Sequence, residues 1–173
     1  MQIFFGLIFC FFFVSITDAA QICKPDSILA STPDSQLVDN NDGTITDIKT
    51  GLMWKRCLEG VEGDNCENGS PSDFTWQQAL QQPRAVNDAS GFAGYGDWRL
   101  PNIRELITIV EEQCYNPAIN LNRFPNTPSS YVWSGSPHTE DSYSGWDVYF
   151  LAGQSSYYNR RYRSYAVRLV RGG

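Results

Sequence analysis

Apolar and polar positions recur with two different periods along this chain, and the change of period marks its plan. Residues 36–39 and 44–47 alternate β-branched and polar side chains on either side of Asn40-Asn41-Asp42-Gly43. Alternation around Asp-Gly predicts a hairpin, with Gly in the turn where φ must be positive. A second turn at Lys49-Thr50-Gly51 leads into Leu52-Met53-Trp54-Lys55. Thr75 followed by Gln78 is a capping box, so a helix should start at Trp76. Trp76, Ala79 and Leu80 share one of its faces, and Pro83 should kink or shorten it. Asn102 caps the clearest helix. Ile103, Leu106, Ile107 and Val110 fall at helical spacing and form one apolar stripe, with Glu105 and Glu111 facing water. This helix should end near Gln113-Cys114, before Asn116-Pro117.

From Tyr131 onward the period becomes two. Residues 131–134, 146–151 and 166–170 read as strands. Between the last two lies a long aromatic and basic loop, residues 155–163. The pattern predicts an α+β fold: a mainly antiparallel sheet with two helices.

The amino-terminal end follows neither period. Residues 3–16 are almost wholly apolar, and Thr17, Ala19 and Ala20 follow. A membrane-spanning helix needs about twenty apolar residues. A shorter run that ends in small residues predicts a signal peptide over residues 1–20. The alternative is a retained anchor, and no Lys or Arg precedes the run. Residues 21–35 then form an extended N-terminal segment, and residues 36–173 the domain. Once the signal is removed, no membrane span is expected.

Five cysteines are present, and Cys10 leaves with the signal. The remaining four, Cys23, Cys57, Cys66 and Cys114, are an even set, which in an exported chain reads as two disulfides. Three pairings are open. Cys57 and Cys66 flank a polar, Gly-containing loop and are expected to pair locally. That leaves Cys23 with Cys114. A zinc site would need closely spaced cysteines or more than the one histidine present. No metal and no cofactor is expected.

Composition narrows the function classes. Of the 173 residues, 18% are charged and 14% aromatic, and the formal net charge is −6. These values fit a globular domain and exclude a disordered or coiled-coil chain. Net acidity argues against a nucleic-acid partner. The only histidine, His138, lies in a polar loop, and no Gly-x-Ser-x-Gly elbow accompanies it. No catalytic residue is assigned. The charge is unevenly placed. Residues 26–73 carry ten acids against Lys49, Lys55 and Arg56. Residues 148–173 carry Arg160, Arg161, Arg163, Arg168 and Arg171 and no acid.

Several blocks carry a family resemblance. They are Asp42-Gly43-Thr44-Ile45-Thr46-Asp47, Thr50-Gly51-Leu52-Met53-Trp54, Trp76-Gln77-Gln78-Ala79-Leu80 and Asp97-Trp98-Arg99-Leu100-Pro101-Asn102. Pro117-Ala118-Ile119-Asn120, Trp133-Ser134 and Val167-Arg168-Leu169-Val170-Arg171 complete the series. In order and spacing the chain resembles the Lcl C-terminal domain family over about residues 36–171. The resemblance implies an exported or surface-attached bacterial protein with a C-type-lectin-like, disulfide-stapled fold. It also implies the properties of the collagen-like adhesin that ends in this domain: adhesion, sulfated-glycosaminoglycan binding and trimerisation. This chain has no collagen Gly-x-y tract. Leu100 stands where a calcium lectin places a polar residue before Pro-Asn, and no Trp-Asn-Asp triplet follows. A calcium sugar site is therefore not expected.

Arginine binds sulfate and carboxylate bidentately, and aromatic faces suit sugar rings. The expected ligand surface is Arg160, Arg161, Arg163, Tyr157, Tyr158, Trp133 and Trp146. The expected function is an exported bacterial binding or adhesion module for an anionic polysaccharide or an envelope partner. The alternatives are a structural envelope protein that acts by self-association and a glycan-active enzyme. For the arginines themselves, the alternative is internal pairing with the acidic half.

Overall fold

The structure is a computed structural model that describes residues 20–157 and 161–172. The expected signal peptide up to Ala19, Tyr158 and Arg160 lie outside the described residues. The first half of the chain contains β1 (Ile22–Cys23), β2 (Leu37–Asp39), β3 (Thr44–Asp47), β4 (Leu52–Lys55), β5 (Val61–Glu62), β6 (Asn68–Gly69) and β7 (Phe74–Thr75). Helices α1 (Trp76–Asp88) and α2 (Ile103–Ile107) follow. The rest contains β8 (Cys114–Tyr115), β9 (Tyr131–Pro137), β10 (Gly145–Tyr149), β11 (Gln154–Ser156), β12 (Ser164–Tyr165) and β13 (Val170–Arg171).

The strands form a four-stranded sheet in the order β13-β4-β3-β2 and a three-stranded sheet in the order β11-β10-β9. Two-stranded ribbons pair β1 with β8, β7 with β12, and β5 with β6. Every one of these ladders is antiparallel. The expected α+β architecture is present, with its two helices and its two disulfides, Cys23–Cys114 and Cys57–Cys66.

The first hairpin forms as its sequence demands. Leu37 faces Asp47 and Asp39 faces Ile45. Gly43 has φ +83°, and a Cβ there would stand 2.9 Å from the Phe92 ring. Asp42 accepts the Thr44 backbone N–H, and the Asn40 amide donates to the Thr44 and Thr46 hydroxyls. Both capping boxes form, at Thr75/Gln78 and Asn102/Glu105.

Both helices differ from expectation in extent. α1 neither stops nor shortens at Pro83. Its second half is anchored from outside, because Asn87 donates to the Trp98 carbonyl and accepts the Trp98 N–H. Those tertiary bonds offset the missing donor of Pro83. Leu80 does not join the buried face; it is 42% exposed. α2 is five residues long and ends at Ile107, itself exposed, although Ile109 and Val110 beyond it remain buried.

Glu111 explains the early end of α2. It does not face water but is buried. Its carboxylate accepts the backbone N–H groups of Ser31, Thr32 and Gln113 and both hydroxyls of Ser31 and Thr32. The chain leaves the helix so that this carboxylate can dock the N-terminal segment. Glu105 also does not merely face water: it binds the Arg99 guanidinium through both oxygens. Arg99 also donates to the Gly172 carbonyl and so ties the C-terminal end to the loop before α2.

This docking makes the fold acid-sensitive. Burial alone would raise the Glu111 carboxyl, but the N–H groups of Ser31, Gln113 and Thr32 and the Thr32 hydroxyl bring it below the usual glutamate value. A carboxyl depressed in the folded state contributes stability that is full above its unfolded value, about 4.3, and is lost as pH falls through the folded one. Glu111→Gln should therefore cost about 2 kcal/mol at pH 7. It should also flatten the loss of stability on acidification, measured by urea unfolding between neutral and acid pH.

Two apolar clusters form the core. One gathers Leu37, Ile45, Trp54, Leu106, Ile109, Phe124, Val132, Val148 and Phe150 between the two larger sheets and α2. The other gathers Ala79, Trp98, Trp133, Val167 and Leu169, with Trp76 and Phe74 packed against it. Arg168 is the only arginine among the largest fully buried side chains. It donates to the carbonyls of Lys55 and Arg56 and to the Thr127 hydroxyl, and lies over the Phe124 ring.

Candidate functional site

The segment that returns from β11 toward β12 meets the first turn of α1, and an aromatic–arginine shelf forms there. Trp76 is the first residue of α1. Its backbone N–H donates to the Arg161 carbonyl at 3.0 Å. Its indole N–H donates to the Ser134 carbonyl at 2.9 Å. One side of the indole lies against Gly145, where a Cβ would stand 2.9 Å from Cδ1 and Nε1. The Arg161 guanidinium stacks over the ring, 4.1 Å from its centroid.

Arg161 is itself held from behind. Its backbone N–H donates to the Tyr143 carbonyl, and its Nε donates to the Ser144 carbonyl at 3.0 Å. Its two terminal amino groups have no acceptor among the described residues. The guanidinium is thus fixed in plane by its ring contact and its Nε bond, and its outer edge is open. A cleft of about 440 Å³ lies beside it, lined by Thr75, Trp76, Gln77, Leu80, Arg161 and Tyr162. Among the described residues no carboxylate lines this cleft. Tyr162 and Tyr143 are 71% and 69% exposed. Arg163 is exposed as well, on the next turn of chain.

The other expected site residues separate into three groups. Trp146 and Tyr157 do come together: their rings are 4.9 Å apart, and His138 stacks on Tyr157 at 4.2 Å. Trp133 is a correction. It is fully buried in the second core cluster, and its indole donates to the Phe74 carbonyl, so it is no part of a ligand surface. Tyr158 and Arg160 lie outside the described residues. Of the C-terminal arginines, Arg168 and Arg171 do turn inward. Arg171 grips Asp97 with two bonds and lies over Tyr95 at 3.8 Å. That pairing holds the Asp97 carboxyl below its usual value. The partners of Arg168 are backbone carbonyls and a hydroxyl rather than the acidic half's carboxylates.

Trp76, Leu80 and Gly145 were not legible as site residues. Trp76 and Leu80 read as one apolar helix face, which is a core signal. What marks Trp76 is its place directly after the capping Thr75, where a side chain sits at the helix end. Its partner Gly145 precedes a strand and leaves room for the indole.

The loop 138–144 contains His138, Asp141 and Ser144, the residue types of a nucleophilic triad. Their geometry is that of loop closure. His138 Nδ1 accepts the Asp141 backbone N–H at 3.0 Å, and the Ser144 hydroxyl donates to the Asp141 carboxylate at 2.5 Å. A triad instead needs the serine hydroxyl on the histidine. Among the described residues no group of three or more His, Cys, Asp or Glu is placed to hold a metal ion. No helix among them is long and apolar enough to cross a membrane.

The Lcl C-terminal domain model matches residues 43–171, about three quarters of the chain. No curated protein matches it.

Proposed function

Because the chain belongs to the Lcl C-terminal domain family, we propose that it is an exported bacterial binding module whose Trp76–Arg161 cleft takes an anionic polysaccharide. The observation that carries this reading is the guanidinium stacked on Trp76 with its terminal amino groups open to solvent. Stacking and the Nε bond fix the guanidinium in advance, so little side-chain freedom is lost on binding. An open arginine edge matches sulfate or carboxylate in a bidentate way. Tyr162, Leu80 and the edge of Trp76 supply an apolar wall for sugar C–H groups. Arg163 adds a second positive charge to the approach. The Trp146–Tyr157–His138 group adds an aromatic cluster at the turn of the β9–β10 hairpin.

A second reading has its own observation. Tyr162 and Leu80 are large, exposed and line the cleft beside Arg161, and Tyr143, whose carbonyl accepts the Arg161 N–H, is exposed as well. Such a patch also suits a second copy of the chain, which makes the protein a self-associating envelope component. A glycan-cleaving enzyme needs a carboxylate pair across the scissile bond, and the described residues that line the cleft supply none.

The ligand class is tested by binding to sulfated, carboxylated and neutral polysaccharides in rising salt. The expected result is binding to the two anionic classes, weakened by salt as exposed charge pairs are screened. Binding to neutral chains alone, or binding indifferent to salt, would overturn the anionic reading. A stable oligomer with no glycan binding would favour self-association.

A further inference from the structure

The face of the three-stranded sheet that carries Trp133 also carries a row of tyrosines that the cleft does not use. Side chains two apart on a strand share a face. Tyr131 and Trp133 therefore lie together on β9, and Asp147 and Tyr149 on β10. In the ladder Tyr131 stands directly opposite Tyr149, and Trp133 opposite Asp147. The Tyr131 and Tyr149 rings stack with centroids 4.2 Å apart and planes 11° from parallel. Tyr165 stacks on the other side of Tyr131 at 4.8 Å, and Trp133 meets Tyr165 at 4.7 Å. Four rings thus form one contiguous stack, from the fully buried Trp133 to the half-buried Tyr149. The hydroxyls of Tyr131 and Tyr149 have no hydrogen-bond partner among the described residues.

We infer that Tyr131 and Tyr149 form an oxidative cross-linking site, which closes to dityrosine when a one-electron oxidant of the peroxidase–peroxide class reaches this face. Each phenol gives up one electron and its hydroxyl proton. The two phenoxyl radicals then join ring carbon to ring carbon, ortho to the hydroxyls. Two C–H bonds break as the rings regain aromaticity, and both hydroxyls are restored. Two electrons and two protons leave in all, and they reduce one peroxide to two waters.

Three features favour this pair over the other tyrosines. Each ring holds its coupling partner in contact before oxidation, so the step is intramolecular and gains the large effective concentration of a preassembled pair. Tyr143 and Tyr162 are more exposed, but neither ring is stacked on another tyrosine among the described residues. Tyr165 and Trp133 extend the stack, so a radical formed on either has a contacting path to the pair. The new bond would tie the start of β9 to the end of β10. The two disulfides show that the chain is built for oxidising surroundings. The inference stands apart from the glycan reading and does not depend on it.

The test is brief illumination of the dilute protein with tris(bipyridyl)ruthenium(II) and persulfate, followed by intact mass and peptide mapping. The expected product is a monomer two hydrogens lighter, with a cross-linked peptide joining Tyr131 and Tyr149 and a yield unchanged by dilution. Tyr131→Phe and Tyr149→Phe should each abolish that peptide while keeping the stacked ring, so loss of the link is not loss of the fold. Tyr165→Phe should keep it. A link between Tyr131 and Tyr165, cross-linked dimers through Tyr143 or Tyr162 alone, or no link at all would overturn the inference.

Discussion

Replacing Arg168 by methionine should lower the stability of the fold by about 3 kcal/mol. The guanidinium is fully buried. It satisfies the carbonyls of Lys55 and Arg56 at the end of β4 and the Thr127 hydroxyl on the loop before β9. Methionine keeps the contact with Phe124 but leaves those acceptors without a donor, and each buried orphan costs about 1–3 kcal/mol. The sum is tempered because the arginine itself is costly to bury: burial pushes its ionisation down to about 9. That remains above neutral pH, so a charged group is desolvated in the core, and its removal recovers part of the loss. Arg168→Lys should not rescue, because an ammonium lacks the planar fork that reaches both sides. The check is urea unfolding at pH 7, where the midpoint should fall with little change in slope. A methionine variant as stable as the parent would show that Arg168 costs as much to bury as its bonds return.

The second large effect belongs to Cys23–Cys114. This bond joins residues separated by 91 positions, whereas Cys57–Cys66 closes a separation of 9. On the loop-entropy argument the long bridge is worth about 4.5 kcal/mol and the short one about 2.5 kcal/mol. The N-terminal segment is also held by the Lys24 N–H on the Gln113 carbonyl and by the Gln21 amide on the carbonyls of Pro117 and Ile119. These bonds survive the loss of the bridge, so the segment should stay docked at neutral pH. Cys23→Ala/Cys114→Ala should therefore fold but melt roughly 10–15 °C lower. Cys57→Ala/Cys66→Ala should fall by about half as much. The order of the two shifts is the test, read by scanning calorimetry. A larger shift for the short bridge would mean that local strain or loop packing outweighs chain entropy.

The parts of the fold legible in the sequence are those decided by near neighbours. The Asp-Gly hairpin, both capping boxes and the local Cys57–Cys66 pairing are each settled within about ten residues. Cys23–Cys114 then follows once the local pair is taken. Most of the misreadings involve a partner farther along the chain. Glu111 looks like the polar face of a helix until Ser31 and Thr32 arrive with donors. Pro83 looks like a helix breaker until Asn87 is pinned to Trp98. Tyr131 and Trp133 have the same alternation and share one face, and the packing of Ala79, Trp98, Val167 and Leu169 decides that Trp133 is covered.

The site divides in the same way. Charge clustering finds Arg161, Arg163, Arg168 and Arg171 together but does not separate them. Arg168 and Arg171 are drawn inward by carbonyls and by Asp97, whereas Arg161 is held at the surface by Trp76 and the carbonyls of Tyr143 and Ser144. Nothing local in Trp76-Gln77-Gln78-Ala79-Leu80 announces that Trp76 will stack under a guanidinium that follows 85 positions later.

The central claim is that Arg161 on Trp76 anchors an anionic chain. Its most direct test is calorimetric titration of a sulfated polysaccharide into the parent protein and into Arg161→Ala, with Arg171→Ala as the comparison. Loss of a charge-assisted bidentate contact is worth about 1.5–3 kcal/mol, so Arg161→Ala should bind at least about tenfold more weakly. Arg171→Ala should keep its affinity, because that arginine is spent on Asp97. Equal affinity of Arg161→Ala and the parent would contradict the claim and place the protein's binding surface elsewhere.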